Sequence, residues 1–291
     1  MFKGSIVALI TPFTRNGIDE KKIRELVRWH IKKGTNGLVP TGTTGESPTL
    51  THEEHRRVIE LVVEEAAGRV PVIAGTGSNC TEEAVSLTRH AAETGADGAL
   101  LIAPYYNKPN QRGIYEHFKR VASKADIPIV LYNHQGRTGV TIEPKTVKAL
   151  SDAGRFVAVK DASGGINYSS EVLELTGGKV AILSGNDAWT PSLMAVGAAG
   201  CISVVANIVP KEMAAMISSF LNGDAEKSRK LFYKILPLMK AVDVEVNPVP
   251  VKAAMGLLGL AAPDVRLPMV PLSSQSMSVL KKALKDGGLL K

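Results

Sequence analysis

Eight short apolar runs, separated by longer amphipathic stretches, constrain this 291-residue chain more than any other feature. The runs cover residues 6–10, 37–40, 71–74, 98–103, 128–132, 156–160, 180–183 and 201–205. Most are rich in Val, Ile, Leu and Ala without strict alternation, the pattern of parallel strands covered on both faces. Helical signals fill the gaps. Over residues 19–34, Ile23, Leu26, Val27 and Ile31 keep a helical period, and Gly34 can end the helix. Thr51 with Glu54 forms a capping-box pattern, and the segment 81–94 opens with Glu82 and Glu83, well placed against a helix dipole. Similar segments start near Gln111, Pro144, Tyr168, Trp189 and Pro210.

A strand–helix unit repeated eight times predicts an α/β fold of the (β/α)8 TIM-barrel type, ending near residue 222. A doubly wound sheet is disfavoured. No Gly-x-Gly-x-x-Gly follows the first run, and chemically capable residues end many different runs, where barrel enzymes place their sites. Residues 223–291 read as a C-terminal helical extension, with apolar stretches at 228–239 and 251–260 that suit packing on the barrel or on another subunit. We expect barrel and extension to form one domain.

Bulk properties narrow the class. Apolar residues are 44% of the chain, enough for a sizeable core, and no apolar run approaches the roughly 20 residues of a membrane span. The first residues lack the three regions of a signal peptide, so a cytoplasmic location is expected. Cys80 and Cys201 lie far apart with no metal spacing, which suits two reduced thiols. The net charge of +7 is scattered apart from Lys281, Lys282 and Lys285, which argues against nucleic acid as a partner and is compatible with small anionic substrates.

Lys160 ends the sixth run. Pointing inward there, it sits in the barrel mouth, where partial removal from water favours a neutral amine able to form an imine with a carbonyl. Taken alone, a strand-end lysine more often snorkels to water. Tyr132 ends the fifth run, on an adjacent strand, and a phenol there can relay protons. Gly42-Thr43-Thr44-Gly45-Glu46 follows the second run; its glycines let backbone N–H groups approach a carboxylate. Arg137, just past Tyr132, offers a bidentate fork for a second carboxylate. Asp187 has no carboxylate or histidine spaced to join it, the six histidines show no His-x-x-x-His, and there is no phosphate loop. We expect no metal.

These motifs, with Pro104-Tyr105-Tyr106-Asn107, the stretch from Asn247 to Lys252 and Arg266-Leu267-Pro268-Met269, resemble the pyruvate-dependent class I lyase family of dihydrodipicolinate synthase and N-acetylneuraminate lyase over nearly the whole chain. Paired threonines and Arg137 point to the synthase branch. The resemblance implies a Schiff base between pyruvate and Lys160, whose enamine condenses with L-aspartate 4-semialdehyde, with no cofactor. It implies a proton relay of Thr43, Tyr132 and Tyr106, the last from a neighbouring subunit of a homotetramer. It further implies pyruvate binding near Thr43 and Thr44, semialdehyde binding by Arg137, and pocket carbonyls near Gly185 and Ile202. An inhibitory L-lysine site at a subunit interface is implied at Ser47, Pro48, His52, His55, Asn79, Glu83 and Tyr105. Two positions depart from the family: His134-Gln135 replaces an apolar residue and proline, expected to loosen the loop carrying Arg137, and Asp161 replaces glutamate. A sugar-acid aldolase using the same imine, and a non-catalytic oxoacid sensor, stand as alternatives.

Overall fold

In the computed structural model, which describes residues 2–290, eight parallel strands form a barrel, and helices surround it. Strand β1 (Gly4–Ala8) leads through a two-stranded hairpin, β2 (Phe13–Thr14) and β3 (Gly17–Ile18), to helix α1 (Glu20–Lys32). Then follow β4 (Gly37–Val39), α2 (His52–Ala66), β5 (Ile73–Gly75), α3 (Thr81–Thr94), β6 (Gly98–Ile102) and α4 (Gln111–Ala122). Strand β7 (Ile129–Asn133) is followed by a single helical turn, α5 (Gln135–Thr138), and by α6 (Pro144–Asp152). The barrel is completed by β8 (Phe156–Asp161), α7 (Ile166–Thr176), β9 (Ala181–Ser184), α8 (Thr190–Ala195), β10 (Gly200–Ser203) and α9 (Pro210–Leu221). Helices α10 (Ala225–Ala241), α11 (Val249–Leu257) and α12 (Ser274–Asp286) form the C-terminal region.

Paired strands run in the order β4-β1-β10-β9-β8-β7-β6-β5. A single parallel bridge between Leu38 and Val72 joins the two ends and closes the barrel. At the β1–β10 seam the backbones approach so closely that a Cβ on Gly200 would lie 2.1 Å from the Gly4 carbonyl oxygen, so only glycine fits.

Alternation along the strands sorts side chains between two cores. Ile6, Val39, Ile73, Leu100, Val130 and Ala158 fill the barrel interior. The opposite faces pack against the helices in a larger cluster, which continues without a break into α10, α11 and α12 through residues such as Met239, Met255 and Leu280. Because Val130 and Ala158 point inward, so do Tyr132 and Lys160 two residues on. Their neighbours Asn133 and Asp161 point outward: Asn133 Oδ1 accepts from the Ile142 N–H, and Asp161 accepts from the Ser163 N–H and Ser169 Oγ. The shorter side chain at position 161 thus spends its hydrogen bonds in the outer layer, although the residue also borders the barrel mouth. No helix among the described residues is long and apolar enough to cross a membrane.

The first strand lies two residues earlier than the apolar run. Gly4 and Ser5 pair with Gly200 and Cys201, while Leu9 and Ile10 are buried beyond the ladder. The hairpin β2–β3 lies outside the apolar runs, and helix α12 falls within the helical extension at 223–291 without an apolar stretch to mark it. Arg137 sits on the turn α5, whose carbonyls at His134 and Gln135 accept from residues 137–139, so the segment is closed by its own hydrogen bonds despite lacking the expected proline.

Candidate active site

A cavity of about 290 Å³ opens at the C-terminal ends of the strands. Lys160 is on its wall, 5% exposed, carried there by β8. Parallel register sets Lys160 against Tyr132 on one side and Leu183 on the other. The Lys160 Nζ lies 4.1 Å from the centroid of the Tyr132 ring. An amine so placed has an apolar floor beneath it and open space above, and the aromatic face steadies its cationic forms.

Thr43 and Thr44 enter from the turn after β4. Thr44 is buried, and its hydroxyl accepts a hydrogen bond from Asn247 Nδ2 at 3.0 Å. The turn is held from below, since Thr11 Oγ1 donates to the Gly45 carbonyl at 2.7 Å and Thr41 Oγ1 to the Gly75 carbonyl at 2.9 Å. Gly75 is glycine for the same reason: a Cβ there would lie 2.3 Å from the Thr41 carbonyl oxygen. Arg137 reaches the cavity from α5, and its guanidinium has no hydrogen-bond partner among the described residues, leaving the fork free for an anion. Gly185, just past β9, also lines the cavity.

Ile202 and Asn79 fall off the cavity walls, while Tyr106, expected from a neighbouring subunit, is exposed on this chain. Ile202 belongs to the inner core and does not line the cavity; Val204, two residues on and past the strand end, takes that place. Tyr106 is 87% exposed at a left-handed φ of 71° and is absent from the cavity wall of its own chain. Asn79 lies outside the second cavity, its carbonyl taken by Asn107 Nδ2 at 2.9 Å. Conversely, His134, Trp189, Asp243 and Asn247 line the first cavity unannounced. Asp243 and Asn247 come from the C-terminal region, and no local motif links them to the barrel mouth. The His134 ring packs edge-on to Tyr132, with centroids 5.9 Å apart. Burial, reinforced by the charges of Arg137 and Lys160, pushes its pKa down to about 4, so the imidazole is neutral at pH 7. Burial pushes the Asp243 carboxyl up, and Arg137 opposes the shift.

Asp187 is held apart from this chemistry. It accepts from the Val204 and Val205 N–H groups and from the Cys201 thiol, and burial pushes its carboxyl up.

A second cavity, about 470 Å³, is lined by Ser47, Pro48, His52, His55, Glu83 and Tyr105 among others, and it shares Thr43, Tyr132 and Arg137 with the first. His52 Nε2 lies 3.2 Å from Glu83, and Glu83 also accepts from the Ser78 hydroxyl. Burial depresses the His55 pKa to about 4.

Comparison with known proteins agrees with this fold. The sequence profile of the dihydrodipicolinate synthetase family matches residues 1–287. The 4-hydroxy-tetrahydrodipicolinate synthase of Geotalea daltonii is 52% identical over 290 residues, covering 100% of both chains. The dihydrodipicolinate synthase of Acinetobacter baumannii, solved in complex with pyruvate, matches with a TM-score of 0.97 and 43% identity over 100% of each chain. A DHDPS from Cyanidioschyzon merolae, solved with lysine bound, matches with a TM-score of 0.96 and 37% identity over 99% of each chain. Matched end to end by the family profile and by relatives about half identical to it, this chain belongs to the dihydrodipicolinate synthetase family.

Proposed function

We propose that this chain is a 4-hydroxy-tetrahydrodipicolinate synthase, condensing pyruvate with L-aspartate 4-semialdehyde in the first committed step of the diaminopimelate route to lysine. The observation that carries the reading is the Lys160 amine, nearly buried beside Tyr132 in a cavity that also holds two threonines and an arginine whose guanidinium has no hydrogen-bond partner among the described residues. The names of relatives at about 50% identity support the same reaction.

The amine attacks the pyruvate ketone, and the carbinolamine loses water to give an imine. Backbone N–H groups near Thr43 and Thr44 hold the pyruvate carboxylate. The protonated imine withdraws electrons, a methyl proton leaves, and an enamine forms, so no cofactor is required. The enamine carbon bonds to the aldehyde carbon of the second substrate, whose oxygen takes up a proton. The substrate's own amine then attacks the imine carbon, closing the ring and releasing Lys160. Tyr132 and Thr43 relay the protons, joined by Tyr106 of a neighbouring subunit in a homotetramer; its exposure in the single chain suits that role. Arg137 receives the semialdehyde carboxylate, and the backbone near Gly185 lines the pocket. L-Lysine binds in the second cavity as an inhibitor, its ammonium facing Glu83, a reading supported by the lysine-bound relative. The two free thiols suit a cytoplasmic location.

The test is reductive trapping. Incubation with pyruvate and borohydride should give one adduct by intact mass, mapped to Lys160, and Lys160→Ala should lose both the adduct and several orders of magnitude in turnover. A sugar-acid aldolase would form the same adduct but prefer a sugar aldehyde to L-aspartate 4-semialdehyde. Absence of the adduct, or turnover surviving in Lys160→Ala, overturns the reading.

A further inference from the structure

Glu46 takes part in no step of the reaction above, yet its carboxylate is 2% exposed and both its oxygens are engaged. Oε1 accepts from Lys252 Nζ at 2.6 Å, and Oε2 from the Arg266 backbone N–H at 3.0 Å. Lys252, on α11, is fully buried. Its ammonium also donates to the Thr11 carbonyl at 2.9 Å and stands 4.1 Å from the Phe13 ring centroid. Thr11 in turn donates its hydroxyl to Gly45. Arg266 lies 4.2 Å from the same Phe13 ring and forks onto Glu54 at 2.5 and 2.6 Å. Four stretches far apart in sequence, around residues 11–13, 41–54, 252 and 266, are thus tied at one buried point.

Stability alone does not explain such a pair. Two charges removed from water are commonly no better for folding than well-packed apolar groups of the same volume. What the pair supplies is direction. Glu46 adopts a left-handed φ of 53°, a conformation uncommon outside glycine that persists where surroundings over-determine it. Its carboxylate anchors that bend two residues from Thr44 and three from Thr43. A second tie from the same region, Asn247 Nδ2 to Thr44 Oγ1, pulls on the turn itself.

We propose that Glu46 and Lys252 are positioning residues: their buried ion pair sets the pyruvate-carboxylate turn at residues 42–45 against the Lys160 amine, so the C-terminal helical region governs capture of the keto acid. The proposal rests on the imine reading above. Imine formation is sensitive to such placement, because a shift of about 1 Å in a bound reactant costs up to about a hundredfold in rate.

Two variants test it. Glu46→Gln combined with Lys252→Met removes the pair without leaving either charge alone. Glu46→Asp keeps the charge but shortens the anchor by one methylene, and it decides the matter if the double variant does not fold. In each, circular dichroism reports the fold, borohydride trapping reports the rate of imine formation with pyruvate, and steady-state kinetics give both KM values. We expect the pyruvate KM to rise about tenfold or more and trapping to slow accordingly, with the KM for L-aspartate 4-semialdehyde within about twofold of wild type. A merely structural pair would lower the melting temperature and leave both KM values alike. Folded variants with wild-type trapping rates and pyruvate KM overturn the positioning role while leaving the imine chemistry intact. A wild-type enzyme that traps no pyruvate overturns the imine reading and this inference with it.

Discussion

Strand register brings a phenol to an amine at Tyr132 and Lys160, Cα partners across β7 and β8. Each is an ordinary strand-end residue by itself; inward alternation on adjacent parallel strands makes them a pair. Tyr132→Phe keeps the ring that packs against Lys160 and removes only the hydroxyl. We expect kcat to fall about 10²- to 10⁴-fold, the range for loss of a proton-transfer group, with an unchanged circular dichroism spectrum; a loss below about fivefold would remove Tyr132 from the relay. His134 behaves differently. Its imidazole borders the cavity, but with a pKa of about 4 it stays neutral and does not change protonation state near neutrality. In His134→Val, the shape of the kcat/KM profile between pH 6 and 8 should therefore match wild type, even if its level changes. Disappearance of an ionisation near pH 6.5 in that variant would show that the imidazole titrates where we place it neutral.

Elements whose sequence signal is local were legible. The Thr51–Glu54 capping box, the helix Thr81–Thr94 and the starts of α4, α6 and α9 stand where the pattern put them. The site residues that end strands were legible for the same reason, since a strand end names its own position in the barrel. What was hidden depends on contacts distant in sequence. Apolar character reports burial rather than pairing, so it set β1 two residues late, passing over Gly4 and Ser5, which the ladder uses. Helix α12 shows few apolar residues because only Leu280 and Leu284 are buried. Asp243 and Asn247 reach the cavity only through the packing of the C-terminal region. The β1–β10 seam gives a test at this scale. Gly200→Ala drives a methyl into the Gly4 backbone, and neither strand can withdraw without opening the barrel. We expect insoluble protein or a melting temperature lowered by more than 10 °C, equivalent to several kcal/mol. Gly95→Ala, with a left-handed φ but no atom within 4 Å of the added Cβ, should cost only about 1 kcal/mol. Equal melting temperatures for the two variants would show that the seam is not what demands glycine.

For the molecule as a whole, acid stability follows from how its histidines are buried. His30 is fully buried with neither ring nitrogen bonded, and burial pushes its pKa to about 3. His55, His117 and His134 are each held near 4, chiefly by burial. In the unfolded chain all four titrate near 6.5. Below that pH the unfolded state takes up protons that the folded state refuses, so the stability gained by keeping these rings neutral is complete above pH 6.5. It is lost progressively as the pH falls toward 4, and toward 3 for His30. Each proton contributes a slope of about 1.4 kcal/mol per pH unit where it is fully taken up. Asp187, whose carboxyl is pushed up, works in the opposite sense and tempers the loss. The exposed glutamates with lowered pKa values, such as Glu20 and Glu25, lose stability as the pH falls through and below the ordinary carboxylate value, so the histidines dominate above about pH 5. Urea unfolding at fixed protein concentration, at pH 7.5, 6.0 and 5.0, should therefore show stability falling at each step below pH 6.5. His30→Leu, which fills the same apolar site without a titrating ring, should remove about one proton from that slope. Unfolding free energies that stay level from pH 7.5 to 5.0, or a slope untouched in His30→Leu, would mean that these rings accept protons without leaving the core.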